Sequence, residues 1–129
     1  LQPTDIFRKP EWIADAVNRM KADPSLESVF VANKTHKNFW VQDDDSGEWV
    51  RVFDWMAIYG PRQTRKPLFR EDTGLASATS ADLIRQGRRT GMKVDIIEID
   101  DTASGIDIHT AFDFHLAETA LAWQGETGE

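Results

Sequence analysis

The stretch from Ser28 to Phe53 is apolar at nearly every strand position rather than at every second one. Two polar segments interrupt it, and the second consists almost entirely of turn formers. The pattern predicts a meander of three antiparallel strands, Ser28–Asn33, Asn38–Gln42 and Glu48–Asp54. With symmetric turns, one face holds Phe30, Ala32, Phe39, Val41, Trp49 and Phe53, and the other holds Val29, Val31, Trp40, Val50 and Val52.

Both faces of this predicted sheet are apolar, so something must lie against each of them. Helices on both sides would make a three-layer domain. The alternative is that one face stays open for a partner, because large exposed apolar patches are typical of binding surfaces. In that case Trp40, beside the branched side chains of Val31 and Val50, forms the docking surface, since aromatic anchors supply much of the affinity of protein interfaces.

Two segments have clear helix signals. Apolar residues recur at helical spacing between Pro10 and Pro24, and each proline suits one end of a helix. A second helix is predicted to start with Thr79 or Ser80 as N-cap and to stop at Gly91.

The last apolar segment fits two periods. Residues from Ile106 to Leu116 match the alternation of a strand, whereas those from Ile108 to Trp123 match a period near four. Its length and its alanine and leucine content favour a helix over Ile108–Trp123.

The remaining segments complete the predicted fold. The sequence MKVDIIEID predicts a buried strand, Pro67 to Arg70 a short edge strand, and Trp55 to Tyr59 a strand extension or a single turn. We therefore expect a single α+β domain over residues 1–129, with an antiparallel sheet of four to five strands and about three helices packed on it.

The charge balance disfavours nucleic acid as a partner. The 129 residues include 22 acidic and 15 basic ones, for a formal net charge of −7, which repels phosphate unless the cations gather on one side. The chain has no cysteine, which fits a reducing compartment, and neither a long apolar run nor a basic-then-apolar leader. We expect a soluble, cytoplasmic protein with no membrane partner.

Eight of the fifteen basic residues fall between residues 62 and 93. Arg62, Arg65, Lys66 and Arg70 lie in a predicted loop, and Arg85, Arg88, Arg89 and Lys93 lie at and after the end of the second helix. This asymmetry predicts a surface for an acidic partner. The alternative is a solvated loop and helix end whose charges merely suit the helix dipole.

Histidine and aspartate alternate at Asp107, His109, Asp113 and His115, and both residue types are ligands for divalent ions and acid–base partners. On a helix, however, His115 points away from His109 and Asp113, which leaves only an i, i+4 pair. A strand would align all four. The acids from Glu98 to Asp101 could assist such a site, although they also suit a solvated strand end.

The sequence contains no nucleophile elbow, zincin motif, dinucleotide fingerprint or phosphate loop. The leading hypothesis is a non-enzymatic protein-interaction module, such as an adaptor, an inhibitor or immunity-type protein, or an assembly component, with no cofactor. It would bind a protein partner or a second copy of itself through the apolar sheet face or the basic loop. The alternative is a small metal-assisted hydrolase or nuclease using His109, Asp113 and His115.

Overall fold

The structure is a computed structural model that describes residues 1–128, and the chain divides into two compact units. Unit 1 comprises residues 1–33 and the segment from residue 70 onward, and unit 2 comprises residues 34–69. Helices α1 (Pro10–Ala22), α2 (Ala81–Arg85) and α3 (Ala111–Thr127) all belong to unit 1. The prediction of a single domain stays a prediction.

Helix α1 has the predicted bounds for the predicted reasons. Pro10 occupies its first turn, where a missing amide hydrogen costs nothing, and Asp23 leaves the helical region just before Pro24. Arg19 bridges Asp15 one turn earlier at 2.9 Å and Asp95 at 3.0 Å.

Helix α2 is shorter than predicted. Ser80 is its N-cap residue, as expected, but the helix ends at Arg85 because Gly87 adopts a positive φ of 75°, a conformation that stops helices and suits glycine. The predicted end at Gly91 is therefore wrong.

The main sheet has four strands: β1 (Ser28–Thr35), β4 (Leu68–Glu71), β5 (Ser77–Thr79) and β6 (Val94–Ile99). Strand β1 is central, since it pairs with each of the other three. It runs antiparallel to β5 but parallel to β6, with Ser28 opposite Val94 and Asn33 opposite Ile99. The α+β class is confirmed, and the prediction of a purely antiparallel sheet is wrong, because the sheet is mixed.

The predicted three-stranded meander does not form. Strands β2 (Trp40–Gln42) and β3 (Trp49–Arg51) make a separate two-stranded antiparallel sheet in unit 2. The physical reason is that β6 occupies one edge of β1 along six residues, while β4 and β5 also pair with β1. The backbone hydrogen-bonding groups at the edges of β1 are therefore already used, and the next strand in sequence cannot pair with them.

Two smaller predictions are confirmed. The edge strand expected at Pro67 to Arg70 is β4, shifted by one residue. The segment after β3 forms a single 3-10 turn, Asp54–Ala57, rather than a longer strand.

The core of unit 1 lies on β1. Val29 and Val31 are fully buried with Leu75, Ala76, Ile97 and Ala16 of α1, and Trp12, Ile13 and Met20 pack at the margin of this cluster. Phe30 and Ala32, which point to the opposite face of the strand, are also buried. Each buried valine side chain contributes roughly 1.5–3 kcal/mol. Both faces of β1 are thus covered.

The third predicted helix forms, but it begins later than expected, at Ala111 instead of Ile108. Thr110 is the N-cap and makes a capping box with Asp113. Ala117 is the buried residue of this helix, while several large side chains are exposed: Phe112, Phe114, Leu116, Leu121 and Trp123.

Candidate interaction surface

The hairpin of β2 and β3 has a defined register, so the face of each side chain is known. Trp40 pairs with Arg51, Val41 with Val50, and Gln42 with Trp49. The backbone N–H of Val52 donates to the carbonyl of Phe39 at 3.1 Å, which extends the ladder by one pair. Because side chains alternate across a strand, the hairpin has two faces. The valine face carries Phe39, Val41, Val50 and Val52, and the tryptophan face carries Trp40, Gln42, Trp49 and Arg51.

This register regroups the predicted faces. Trp49, expected beside Phe39 and Val41, lies on the other face, and Trp40 and Val50 lie on opposite faces. The prediction assumed a symmetric turn between the two strands. The turn from Asp43 to Glu48 closes with a pairing that differs from that assumption by one residue, and a shift of one residue moves side chains to the other face.

Part of the tryptophan face makes contacts within unit 2, although Trp40 and Trp49 remain 50% and 66% exposed. The Arg51 guanidinium lies over the Trp40 ring, 4.4 Å from its centroid, and its Nη1 donates to the carbonyl of Met56 at 3.3 Å. Just beyond β3, Phe53 stacks on Trp55 with ring centroids 5.6 Å apart. Trp40 therefore has a structural partner on its own hairpin.

The valine face is uniformly apolar and open. Its four side chains are between 41% and 50% exposed, and none of them carries a polar group. Scattered apolar residues are ordinary on a protein surface, but four that share one face of a small sheet form a continuous patch. This patch is the candidate interaction surface.

The turn of the hairpin is acidic and well ordered by hydrogen bonds. Oδ1 of Asp43 accepts from the backbone N–H of Ser46 at 2.8 Å and of Asp45 at 3.1 Å, and from the Ser46 hydroxyl at 2.9 Å. These hydrogen bonds, the one from the Ser46 backbone first, lower the pKa of Asp43. Gly47 closes the turn at a positive φ of 71°. The side chains of Asp44 and Asp45 remain exposed.

The opposite end of the hairpin is basic. Arg62 Nε donates to Nδ1 of His36 at 3.3 Å, and Arg65 donates to the side-chain oxygen of Asn38. These two bonds hold the guanidinium groups near the start of β2. Lys66 lies over the Trp55 ring, 5.6 Å from its centroid. The predicted basic loop thus becomes a set of cations at one end of unit 2.

The other predicted binding residues lie elsewhere. Val31 is fully buried in the core of unit 1, so it is not available to a partner. Arg70 makes a two-pronged ion pair with Asp72, at 3.0 and 3.1 Å. Arg88 and Arg89 lie just after α2 and are exposed. Arg70, Arg88 and Arg89 belong to unit 1 and Arg62 and Arg65 to unit 2, and one shared basic surface stays a prediction.

The predicted histidine and aspartate cluster does not come together as a ligand set. Oδ2 of Asp113 accepts from the backbone N–H groups of His109 and Thr110, at 3.1 and 2.8 Å, and from the Thr110 hydroxyl. The hydrogen bond from the Thr110 side chain contributes most to lowering the pKa of Asp113. His109 Nε2 instead lies 2.7 Å from Asp107. Within residues 1–128, no group of three histidine, aspartate or glutamate side chains is arranged to hold a metal ion.

The structure adds a polar network at the carboxyl ends of β1 and β6 that the sequence pattern does not predict. Nδ2 of Asn33 donates to Asp72 and to the Ser104 hydroxyl, both at 3.0 Å. The Ser104 hydroxyl in turn donates to the carbonyl of Asp101 at 2.9 Å. Lys9 forms an ion pair with Asp101 at 3.1 Å. The members of this network hydrogen-bond to one another, as buried polar groups must, which gives the network a structural role.

A buried carboxyl lies close to this network. Asp5 is 8% exposed, and its burial, followed by the nearby carboxylates of Asp107 and Asp72, raises its pKa. The carboxyl of Asp5 can lie this close to the backbone at residue 74 because that residue is glycine. A Cβ atom there would lie 1.9 Å from Oδ2 of Asp5. No local motif marks these residues, because they meet only in the folded chain.

The fold and the surface together define an α+β protein with a mixed sheet in one unit and, in the other, a short hairpin with an open apolar face. Comparison with known proteins shows no family model and no curated protein that matches this chain. None of the helices within residues 1–128 is both long and apolar enough to cross a membrane.

Proposed function

We propose that this protein is a non-enzymatic interaction module that binds another protein through the valine face of the β2–β3 hairpin. The observation that carries the proposal is the exposure of all four apolar side chains on that face. A contiguous apolar patch costs free energy in water, and covering it with a partner recovers roughly 25 cal/mol for each Å². The role fits an adaptor, an inhibitor, an immunity-type protein or an assembly component, each of which acts by binding.

The small size of this sheet supports the proposal. An isolated two-stranded hairpin is marginally stable in water, and additional strands or a packed surface are needed to stabilise it. Strands β2 and β3 pair with each other alone among the described residues, so each has an edge to offer. A partner on the valine face would supply the missing packing.

The cations at the base of the hairpin indicate what surrounds the apolar contact on the partner. Arg62 and Arg65 hydrogen-bond to His36 and Asn38, which places both guanidinium groups near the start of β2. A partner with carboxylates around an apolar centre would complement them, and such rim charges mainly raise the association rate and the specificity. A cytoplasmic location is part of this proposal, because the cysteine-free chain suits a reducing compartment.

Site-specific photocrosslinking tests the proposal. A photoreactive amino acid replaces Val41 on the valine face, and a control protein carries it at Asn18, an exposed polar position of α1. Both are irradiated in the native host cells. We expect a discrete adduct from position 41, none of comparable yield from position 18, and a loss of the adduct when Val50→Asp is added.

Circular dichroism of the Val50→Asp protein confirms that it is folded, so that a lost adduct reports a lost contact. Equal adduct yields from positions 41 and 18, or no adduct from position 41, would show that the valine face is not a binding surface.

A further inference from the structure

The charges of the hairpin are sorted along its length. One end, the acidic tip, consists of the turn residues Asp43, Asp44, Asp45 and Glu48. The other end, the basic base, consists of Lys37, Arg62 and Arg65, the last two held there through His36 and Asn38. Asp54 follows β3 at this end and reduces its positive charge without cancelling it. The strands β2 and β3 themselves contain one basic residue, Arg51, which lies on the tryptophan face and not on the valine face.

From this arrangement we infer that the partner of the valine face is a second copy of the same chain, bound about a two-fold axis so that each acidic tip meets the other copy's basic base. The inference rests on the proposed function, because it uses the same face. It adds the identity of the partner and the direction of binding.

Symmetry makes the charge arrangement self-complementary. When two identical faces pack about a two-fold axis that lies in the contact plane and perpendicular to the strands, the strands of one copy run opposite to those of the other, so each end meets the unlike end. Opposite charges then face each other at both ends of the contact. Strands running in the same direction would place tip against tip, which like-charge repulsion disfavours.

The register of the hairpin agrees with this geometry. The valine face is centred at the level of the Trp40–Arg51 pair, with the Val41–Val50 pair on one side and the Phe39–Val52 pair on the other. Asp44 lies four positions toward the tip, and His36, which accepts from Arg62, lies four positions toward the base. Overlaying two copies in opposite directions therefore sets the acidic tip of one toward the basic base of the other.

Helix α3 also exposes apolar side chains, but it does not have this self-complementarity. It carries Asp113, Glu118 and Glu126 and no lysine or arginine between Ala111 and Thr127. Two copies of this helix would bring like charges together. The hairpin is the apolar surface whose charges favour a second copy.

Charge reversal at each end tests the inference on the purified full chain. The tip variant is Asp44→Lys with Asp45→Lys, which leaves the turn-forming Asp43 intact, and the base variant is Arg62→Glu with Arg65→Glu. Dimer dissociation constants come from sedimentation equilibrium. We expect each variant alone to raise the constant at least about tenfold, because the tip variant has no net charge left at its tip and the base variant is negative at both ends.

Mixing the two variants provides the sharper measurement. An equimolar mixture restores one attractive tip-to-base contact, between the unchanged base of the tip variant and the unchanged tip of the base variant, so we expect a heterodimer with a dissociation constant at least about threefold lower than that of either variant alone. A matched control, Glu118→Lys with Glu126→Lys, changes the same number of charges on α3 and should leave the dimer unchanged. Circular dichroism of each variant shows that a lost dimer is not a lost fold.

A wild-type chain that stays monomeric up to about 200 μM overturns the inference, since a dimer weaker than that gains little from its buried surface. A dimer that both reversals leave intact, or reversed variants that do not pair with each other, overturns it as well. If the purified chain is monomeric while the photoreactive residue at position 41 captures a different protein, the inference fails and the proposed function stands.

Discussion

Strand β1 and the β2–β3 hairpin have the same apolar pattern and opposite surroundings. In β1, Val29 and Val31 point one way and Phe30 and Ala32 the other, and all four are buried. In the hairpin, both faces also carry apolar residues, yet Trp40, Val41, Trp49 and Val50 are each at least 42% exposed. The pattern thus indicates that two faces need cover, and does not indicate whether the chain itself supplies it.

The difference has a structural cause. Strand β1 lies between other strands on both edges, and α1 together with the segment at Leu75 and Ala76 packs against its valines. The hairpin has two strands of three residues each and a six-residue turn. A region with that little internal packing cannot bury its apolar side chains alone, and the proposed function rests on this difference.

The largest effect is expected from a charge on β1. Val31→Asp would bury a carboxylate with no partner, which costs at least about 4 kcal/mol and removes most of the stability of a domain of this size. The same change at Val41, measured on the dilute monomeric chain, should cost only about 1 kcal/mol, because half of the side chain is already exposed. Urea unfolding followed by circular dichroism measures both. Equal losses would show that the two regions do not differ.

A second, smaller contrast lies at the polar ends of the strands. Asn33→Ala removes three side-chain hydrogen bonds of the polar network, to Asp72, to Ser104 and from the backbone N–H of Asp101, at a cost of about 2–3 kcal/mol. Gln42→Ala removes one exposed hydrogen bond, from Nε2 to the carbonyl of Gly47, and should cost about 0.5 kcal/mol. Thermal unfolding of the two variants gives the comparison. A loss at position 42 as large as that at position 33 would contradict the structural role of the network.

One buried group of unit 1, the carboxyl of Asp5, destabilises the folded state. The pKa of Asp5 is raised above its ordinary value of 3.8 in the folded chain, first by burial and then by Asp107 and Asp72. The folded state therefore holds this proton more tightly than the unfolded state, so the stability falls as the pH rises from 3.8 through the folded-state pKa. Asp5→Asn should be more stable than the wild type at pH 7, and the gain should disappear near pH 3.

Unfolding both proteins in urea at several pH values checks this prediction. Asp23, an exposed aspartate in unit 1 whose pKa is lowered by hydrogen bonds from Ser25, supplies the control, since Asp23→Asn should show no such gain at pH 7. A stability difference at position 5 that does not change with pH would contradict the assigned cause.

The sequence predicted what depends on local signals. The bounds of α1 follow from the prolines near its two ends, the N-cap of α2 follows from the preference for serine at that position, and the turn at Asp43 follows from a side chain that bonds to nearby backbone. The parallel pairing of β1 with β6 has no local signal, because strand direction depends on how the intervening 58 residues are arranged. The same holds for the polar network, since Asn33, Asp72 and Ser104 are far apart in the chain. Assigning side chains to the two faces of the hairpin requires the correct strand register at the turn, and an error of one residue placed side chains on the wrong face.

The smallest expected effect separates the two faces of the hairpin itself. Arg51→Ala removes the guanidinium from the Trp40 ring and should cost about 0.5–1 kcal/mol, with most of the loss local to β2 and β3. Amide hydrogen exchange of these strands should then speed up by as much as about fivefold, whereas exchange in β1 stays unchanged. Arg89→Ala, which removes an exposed arginine of unit 1, should affect neither. Acceleration in β1 equal to that in the hairpin would mean that the hairpin does not open independently, and would remove the contrast on which the binding role of the valine face depends.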